Sequence, residues 1–285
     1  MLVNTDKKIL IVGLGLIGGC YARGFHKSGY TVYAINRSKE AIDYALEEGF
    51  IDKGATFADP DIISDADIIV MGQYPKVVTQ WIKDNQKYFK SGAIVTDVTG
   101  VKSCIVYEIQ DILRDDVEFI AAHPMAGREV SGVKNSDEKI LLGANYIIVP
   151  TSKNTKHAIE VCREIGLILH FGMISELSPE EHDEIIGFVS QLTHCIAISL
   201  MNCSDNEKLV DYVGDSFRDL TRIARINENM WSELFILNKQ GLIKDMDRFI
   251  EEITKLRDMV AAEDADGLKE KMIISTERRN LFDKK

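Results

Sequence analysis

Three groups of residues in this chain have types and spacings that can do chemistry. Gly13-Leu14-Gly15-Leu16-Ile17-Gly18 follows an apolar run at 9–12 and leads into a helix-like segment. In that order Gly13 permits a tight turn, Gly15 lets backbone approach a pyrophosphate, and Gly18 lets helix and strand pack closely. The free N–H groups of the helix N-terminus then face the phosphates. The loop implies a bound dinucleotide, NAD or NADP. About 20 residues past the glycines, where the adenosine ribose is met, stand Asn36, Arg37 and Ser38. No carboxylate is present to accept from a 2′-hydroxyl and Arg37 can pair with a 2′-phosphate, which predicts tolerance of or preference for NADP; an Asn can also bond the ribose. The second group is Ala122-His123-Pro124-Met125-Ala126-Gly127-Arg128-Glu129, after an apolar run. A neutral imidazole there can take a hydroxyl proton as hydride leaves the same carbon; a strand-end cap is the alternative. The third is Arg218, Arg222 and Arg225, whose i, i+4, i+7 spacing predicts one cationic helical face.

The elements that must position these groups are legible from periodicity. Short β-branched runs at 9–12, 31–35, 67–71, 93–96, 118–121, 146–149 and 167–171 alternate with helix-like segments. That alternation predicts a Rossmann-type, doubly wound parallel sheet, with several strands apolar throughout because both faces are covered. After Met173 the texture changes: Ser178-Pro179-Glu180-Glu181 is a capping box with Pro at the first helical position, and helical periodicity runs to the end. The reading is an α/β dinucleotide-binding domain at 1–174 and an all-α domain at 175–285 that binds substrate and dimerises. The stretch at 246–279 reads as a charged helix interrupted at Gly267.

Composition narrows the partners. A formal charge of −11 opposes nucleic-acid binding, which needs concentrated Lys and Arg. An anionic small molecule would need a local cationic pocket, because the average field repels it. Cys20, Cys104, Cys162, Cys195 and Cys203 are scattered and odd in number, with no CxxC pair, so neither disulfides nor a zinc site is expected; no metal is expected at all, and a reducing, cytoplasmic location fits. The N-terminus lacks the apolar core of a signal peptide. Residues 185–204 carry no Asp, Glu, Lys or Arg, and about 20 such residues span a bilayer. Gln191, His194 and Asn202 favour instead a helix buried in a helical domain or a subunit interface, with no membrane partner.

Taken in order, GLGLIGG, DVTGVK, HPMAGRE, SPEEHD and FRDLTRIAR resemble the prephenate dehydrogenases across nearly the whole chain, HPMAG and TRIA being the specific segments. The resemblance implies oxidation of the ring C4 hydroxyl of prephenate, a dicarboxylate, with hydride transfer to the nicotinamide and loss of the ring carboxylate as CO2, giving 4-hydroxyphenylpyruvate for tyrosine biosynthesis. It implies that His123 is the general base, that Arg222 pairs with a substrate carboxylate, that His194 lies near the substrate, and that Asp219 orients a basic neighbour. Many relatives carry Ser where this chain has Gly100, so Thr99 is expected to take that place beside the substrate. Gln191 stands where His is frequent. The resemblance also implies a homodimer through the helical half. With no segment seen before the glycine loop or after the helices, neither a chorismate mutase nor a regulatory domain is expected, nor a feedback site outside the catalytic pocket. Arogenate dehydrogenase is the near alternative. A β-hydroxyacid or pyrroline-carboxylate type dehydrogenase and a dinucleotide-binding protein without turnover are more distant ones.

Overall fold

The computed structural model describes residues 2–282, which fall into two compact units, residues 2–238 and 239–282. In the first, β1 (Lys8–Val12), β2 (Thr31–Ile35), β3 (Lys53–Ala55), β4 (Ile68–Met71), β5 (Ile94–Asp97) and β6 (Glu118–Phe119) form a six-stranded sheet, ordered β3-β2-β1-β4-β5-β6. Every pairing within it is parallel. The helices α1 (Leu16–Lys27), α2 (Lys39–Glu47), α3 (Pro60–Asp65), α4 (Pro75–Asn85) and α5 (Ser103–Ile112) are the crossovers. The two-residue period of a strand divides the core. Ile9, Ile11, Val32, Ala34, Ile68 and Val70 face one layer with α1, and Leu10, Val12, Tyr33, Ile35, Ile69 and Met71 face the other with α3 to α5. This is the Rossmann-type architecture read from the sequence, followed by helices.

The expected strand at 118–121 is two strands, and the reason bears on the site. β6 pairs with β5, but from β7 (Ala121–Met125) the chain turns to pair antiparallel with β8 (Asn145–Val149). A three-stranded sheet, β7-β8-β9, results, with β9 (Met173–Glu176) parallel to β8. Because β5 ends at Asp97, the backbone of Ala122 has no strand to bond on that side. The Asp97 carboxylate accepts from its N–H at 3.1 Å and Lys102 Nζ donates to its carbonyl at 2.6 Å, so side chains satisfy both groups.

One other expectation is corrected, and one strand was not expected. The run at 167–171 is the end of α6 (Lys156–Ile168), closed by His170 in the left-handed region at φ 58°. There Phe171 N–H bonds Gly166 O and His170 N–H bonds Leu167 O, the Schellman pattern. A short apolar run reads alike as strand or buried helix end. The short β3, of sequence KGA, carries no strand signal.

The capping box forms as read: Ser178 and Glu181 each bond the other's backbone, opening α7 (Pro179–Ile186). A π-helical segment (Gly187–Leu192) joins it to α8 (Thr193–Asn202). The span Pro179–Asn202 is long and apolar enough to cross a membrane by length and composition, and 28% of its most apolar window is buried within the chain. Its polar His182, Asp183 and Gln191 face protein, while Ile185, Phe188, Val189 and Met201 are exposed. α9 (Asp215–Thr221) and α10 (Glu228–Leu237) complete this unit. The second unit is α11 (Lys239–Ala261) and α12 (Ala265–Asn280). The break between them falls at Glu263, at φ 55°, ahead of the expected interruption: Gly267 lies in the first turn of α12, and its N–H is capped by Asp264. Lys271 on α12 pairs with Glu252 on α11 at 2.6 Å.

Candidate active site

The glycine loop has the geometry its spacing implied. Gly13 sits at φ 105°, a conformation that disfavours any side chain. A Cβ on Gly18 would lie 2.0 Å from Gly13 O, so only glycine lets α1 approach the loop, whereas a Cβ on Gly15 would meet nothing within 4 Å. That open approach leads to the N-terminus of α1, which no side chain caps. Leu14, Leu16 and Ile17 complete the turn. This cradle fits a dinucleotide, with free N–H groups and no bulk where the pyrophosphate would lie. At the tip of β2, Asn36 Oδ1 accepts from Leu14 N–H at 3.1 Å and so pins the loop from within. Ser38 caps α2 by accepting from Ala41 N–H. Arg37 is exposed and, among the described residues, without a partner.

His123 lies at the middle of β7, half-buried, at the carboxyl end of the parallel sheet. Its Nδ1 is 2.9 Å from His182 Nε2, and His182 Nδ1 is 2.8 Å from Asp183 Oδ1. Asp183 in turn accepts from the backbone N–H groups of Lys102 and Ser103, each at 2.9 Å. The proton positions follow from this chain of bonds. A carboxylate only accepts, so His182 Nδ1 carries its proton; a neutral His182 then accepts at Nε2, so His123 donates from Nδ1. His123 Nε2 is left with its lone pair. Burial pushes His123 well below the ordinary histidine value, and His182 and Lys102 push the same way. Burial also lowers His182, against the pull of Asp183. Burial of Asp183 opposes its ionisation, yet the bonds from His182 and Ser103 hold it below the ordinary carboxylate value.

Beneath this relay lies a charged cluster closed to solvent. Lys102 Nζ is 2.6 Å from Asp97 Oδ2, and both side chains are 0% exposed. Burial lowers the Lys102 pKa while Asp97 raises it. The Thr99 hydroxyl bonds the Asp97 carboxylate and Val101 O and accepts from Lys102. Thr99 therefore stands inside the cluster, bonded to Asp97 and Lys102. A Cβ on Gly100 would come 3.9 Å from His123 Cε1 and 3.4 Å from Leu234, so Gly100 itself marks the place of the missing serine.

The ring of His194 stacks on Trp231 with centroids 3.6 Å apart, and its Nδ1 bonds Ser190 O at 2.8 Å. Burial lowers its pKa, Glu129 opposing and Arg222 assisting, so these three side chains share one field. Arg222 forms an ion pair with Glu129. The single helical face expected for the three arginines does not exist: α9 ends at Thr221 and Arg222–Ala224 is one turn of 3-10 helix, so Arg225 lies beyond the helix. Arg218 pairs with Asp215 at 3.7 Å, and Asp219 is exposed without a partner among the described residues. Gln191 is 1% exposed and accepts from Asn238 at 2.8 Å, tying the π segment to the end of α10. Sequence reading assigned no role to His182, Asp183, Lys102, Asp97, Glu129 or Trp231. The first two sit inside SPEEHD, one turn past the capping box. Lys102 and Asp97 are charges embedded in otherwise apolar surroundings.

A glycine cradle at one strand tip of the parallel sheet and a base-competent histidine on β7, beyond that sheet's carboxyl end, define a dinucleotide-dependent oxidoreductase. Residues 21–168 match the family profile described as prephenate dehydrogenase, nucleotide-binding domain, and residues 178–273 match the one described as prephenate dehydrogenase, dimerization domain. The chain belongs to the prephenate dehydrogenase family. It is 31% identical to the prephenate dehydrogenase of Bacillus subtilis over 269 residues, 91% of this chain and 72% of that one. It is 28% identical to the cyclohexadienyl dehydrogenase of Zymomonas mobilis over 280 residues, 94% of this chain and 93% of that one. The crystal structure of the Aquifex aeolicus prephenate dehydrogenase with hydroxyphenyl propionate and NAD+ superposes with a TM-score of 0.88 at 29% identity, covering 97% of this chain and 98% of that one.

Proposed function

We propose that this protein oxidises prephenate to 4-hydroxyphenylpyruvate and CO2 in tyrosine biosynthesis, with His123 as general base. The observation that carries the reading is the Asp183–His182–His123 chain, which leaves His123 Nε2 as a neutral acceptor. A nicotinamide bound in the cradle would accept the hydride from C4. His123 Nε2 would take the C4 hydroxyl proton; the ring carboxylate would then leave as CO2, its bonding electrons completing the aromatic ring as a phenolate, to which the imidazolium would return the proton. Aromatisation supplies the driving force, so the protein's part is alignment and proton acceptance. Arg222, with a planar fork suited to a carboxylate, would hold the substrate by exchanging Glu129 for it. His194, uncharged on its Trp231 platform, would line the same pocket, with Asp219 flanking the arginine. Thr99 would act through the buried cluster beneath the base.

Arg37, exposed at the tip of β2 and without a partner among the described residues, supports use of NADP as well as NAD. The exposed apolar residues Ile185, Phe188, Val189 and Met201 support a homodimer, in line with the description of the 178–273 match. The boundary read at 174/175 between nucleotide-binding and helical parts falls inside β9, so we take the helical part to begin with α7, and the five unpaired cysteines fit the cytoplasm. The deciding assay follows NAD(P)H formation with prephenate and with arogenate, each with NAD and NADP. Turnover of prephenate is expected. Turnover of arogenate alone would move the assignment to that substrate, and no turnover of either would refute it.

A further inference from the structure

Two side-chain amides flank the glycine loop, one past each strand neighbouring β1, and they stand in opposite states. Asn36, past β2, has its carbonyl oxygen bonded to Leu14 N–H. Gln73, past β4, packs its Cγ 3.0 Å from where a Cβ on Gly13 would stand, yet among the described residues its buried Oε1 has no hydrogen-bond partner. The turn that carries it is fixed just past Gln73 by two bonds. Asn227 donates to the Tyr74 hydroxyl at 3.2 Å, and Glu233 accepts from Lys76 N–H at 3.0 Å. Gln73 is thus held with an orphaned acceptor against the first glycine of the cradle. A buried acceptor without a donor opposes folding, and an apolar side chain of the same length would be less costly there.

We propose that Gln73 is a cofactor-positioning residue whose Oε1 accepts a hydrogen bond from a hydroxyl of the nicotinamide-side ribose. The strand order assigns that half of the ligand. Asn36 and Arg37 lie past β2, on the adenosine side of the loop, and Gln73 lies past β4, on the side of β5 and His123. A ribose hydroxyl is a neutral donor, and none of the described residues supplies one to this oxygen. The proposal rests on the dinucleotide reading of the cradle.

The test is Gln73→Met in the full chain, which keeps the length of the side chain and removes the acceptor. Binding of NADH, NADPH and ADP is titrated to both proteins, and unliganded thermal unfolding is recorded. ADP carries the adenosine and pyrophosphate but no second ribose. The expected result is about a tenfold loss of affinity for the reduced dinucleotide that the native chain prefers. ADP affinity should be unchanged, and the unliganded melting temperature should be equal or higher. Equal dinucleotide affinity in the two proteins would overturn the role of Gln73 alone, and so would an equal loss for ADP. Failure of the native chain to bind either dinucleotide would overturn the cradle reading and this proposal together.

Discussion

The two sides of the candidate site are built on opposite electrostatic plans. On the sheet side, Asp97 and Lys102 are sealed from solvent at 2.6 Å, and the relay above them leaves His123 Nε2 uncommitted while its other ring nitrogens are bonded. On the helical side, the charges of Arg222 and Glu129 meet with 64% and 31% of their side chains exposed. Buried charges in fixed geometry cannot rearrange without leaving an uncompensated ion, whereas an exposed pair in water exchanges partners at little cost. The first plan suits a base whose tautomer must not vary; the second suits an arginine that must release one carboxylate to take another.

If that contrast is sound, breaking the buried pair should have the largest effect on stability. Lys102→Met leaves the Asp97 carboxylate buried without its counter-ion and Ala122 O without its donor, and is expected to lower unfolding free energy by about 3–5 kcal/mol in urea titrations. Adding Asp97→Asn, which removes the stranded charge and keeps an acceptor for Ala122 N–H, should recover part of the loss. A Lys102→Met variant as stable as the native chain would show that the cluster does not anchor β7.

Next in size is the base. His123→Asn should lower kcat by about 10²-fold or more while NADH affinity stays within twofold. The same histidines set the response to acid. Both His123 and His182 are lowered by burial, so the folded chain binds fewer protons than the unfolded one below about pH 6.5. Their neutral burial is without proton-linked cost above that pH, and stability is lost as pH falls from there through the lowered folded values. Melting temperature measured from pH 7.5 to pH 5 should fall, and the fall should be smaller in His182→Leu, which removes one of the two groups. A melting temperature that holds constant over that range would contradict the neutral relay.

The same contrast explains what could be read in advance. Strands such as ILIV at 9–12 are apolar throughout because both faces are covered, and the glycine spacing states a backbone requirement directly, so sheet and cradle were legible. The capping box located α7 because it is a local signature. The relay was not legible: His182 meets His123 only because the chain leaves the parallel sheet after β6 and pairs β7 with β8, a long-range event without a periodic signal. Likewise the arginine spacing promised one helical face, but helix geometry ends at Thr221 and tertiary contacts place Arg222. The apolar run at 167–171 misled because hydrophobicity marks burial, which a helix end and a strand share.

The smallest effects should lie on the exposed side, where they separate binding from chemistry. Arg222→Lys keeps the charge but loses the two-pronged fork, so KM for the substrate should rise about tenfold with kcat nearly unchanged, as befits a contact made equally in ground and transition states. Unfolding free energy should move by less than about 1 kcal/mol, because the pair it breaks is exposed. Glu129→Gln should likewise leave stability within about 1 kcal/mol, and it should lower KM, since the arginine no longer exchanges one carboxylate for another. A loss of several kcal/mol in either variant would mean that the pair is structural. The division between a rigid sheet side and an exchangeable helical side would then fail, whatever the assay of His123→Asn returned.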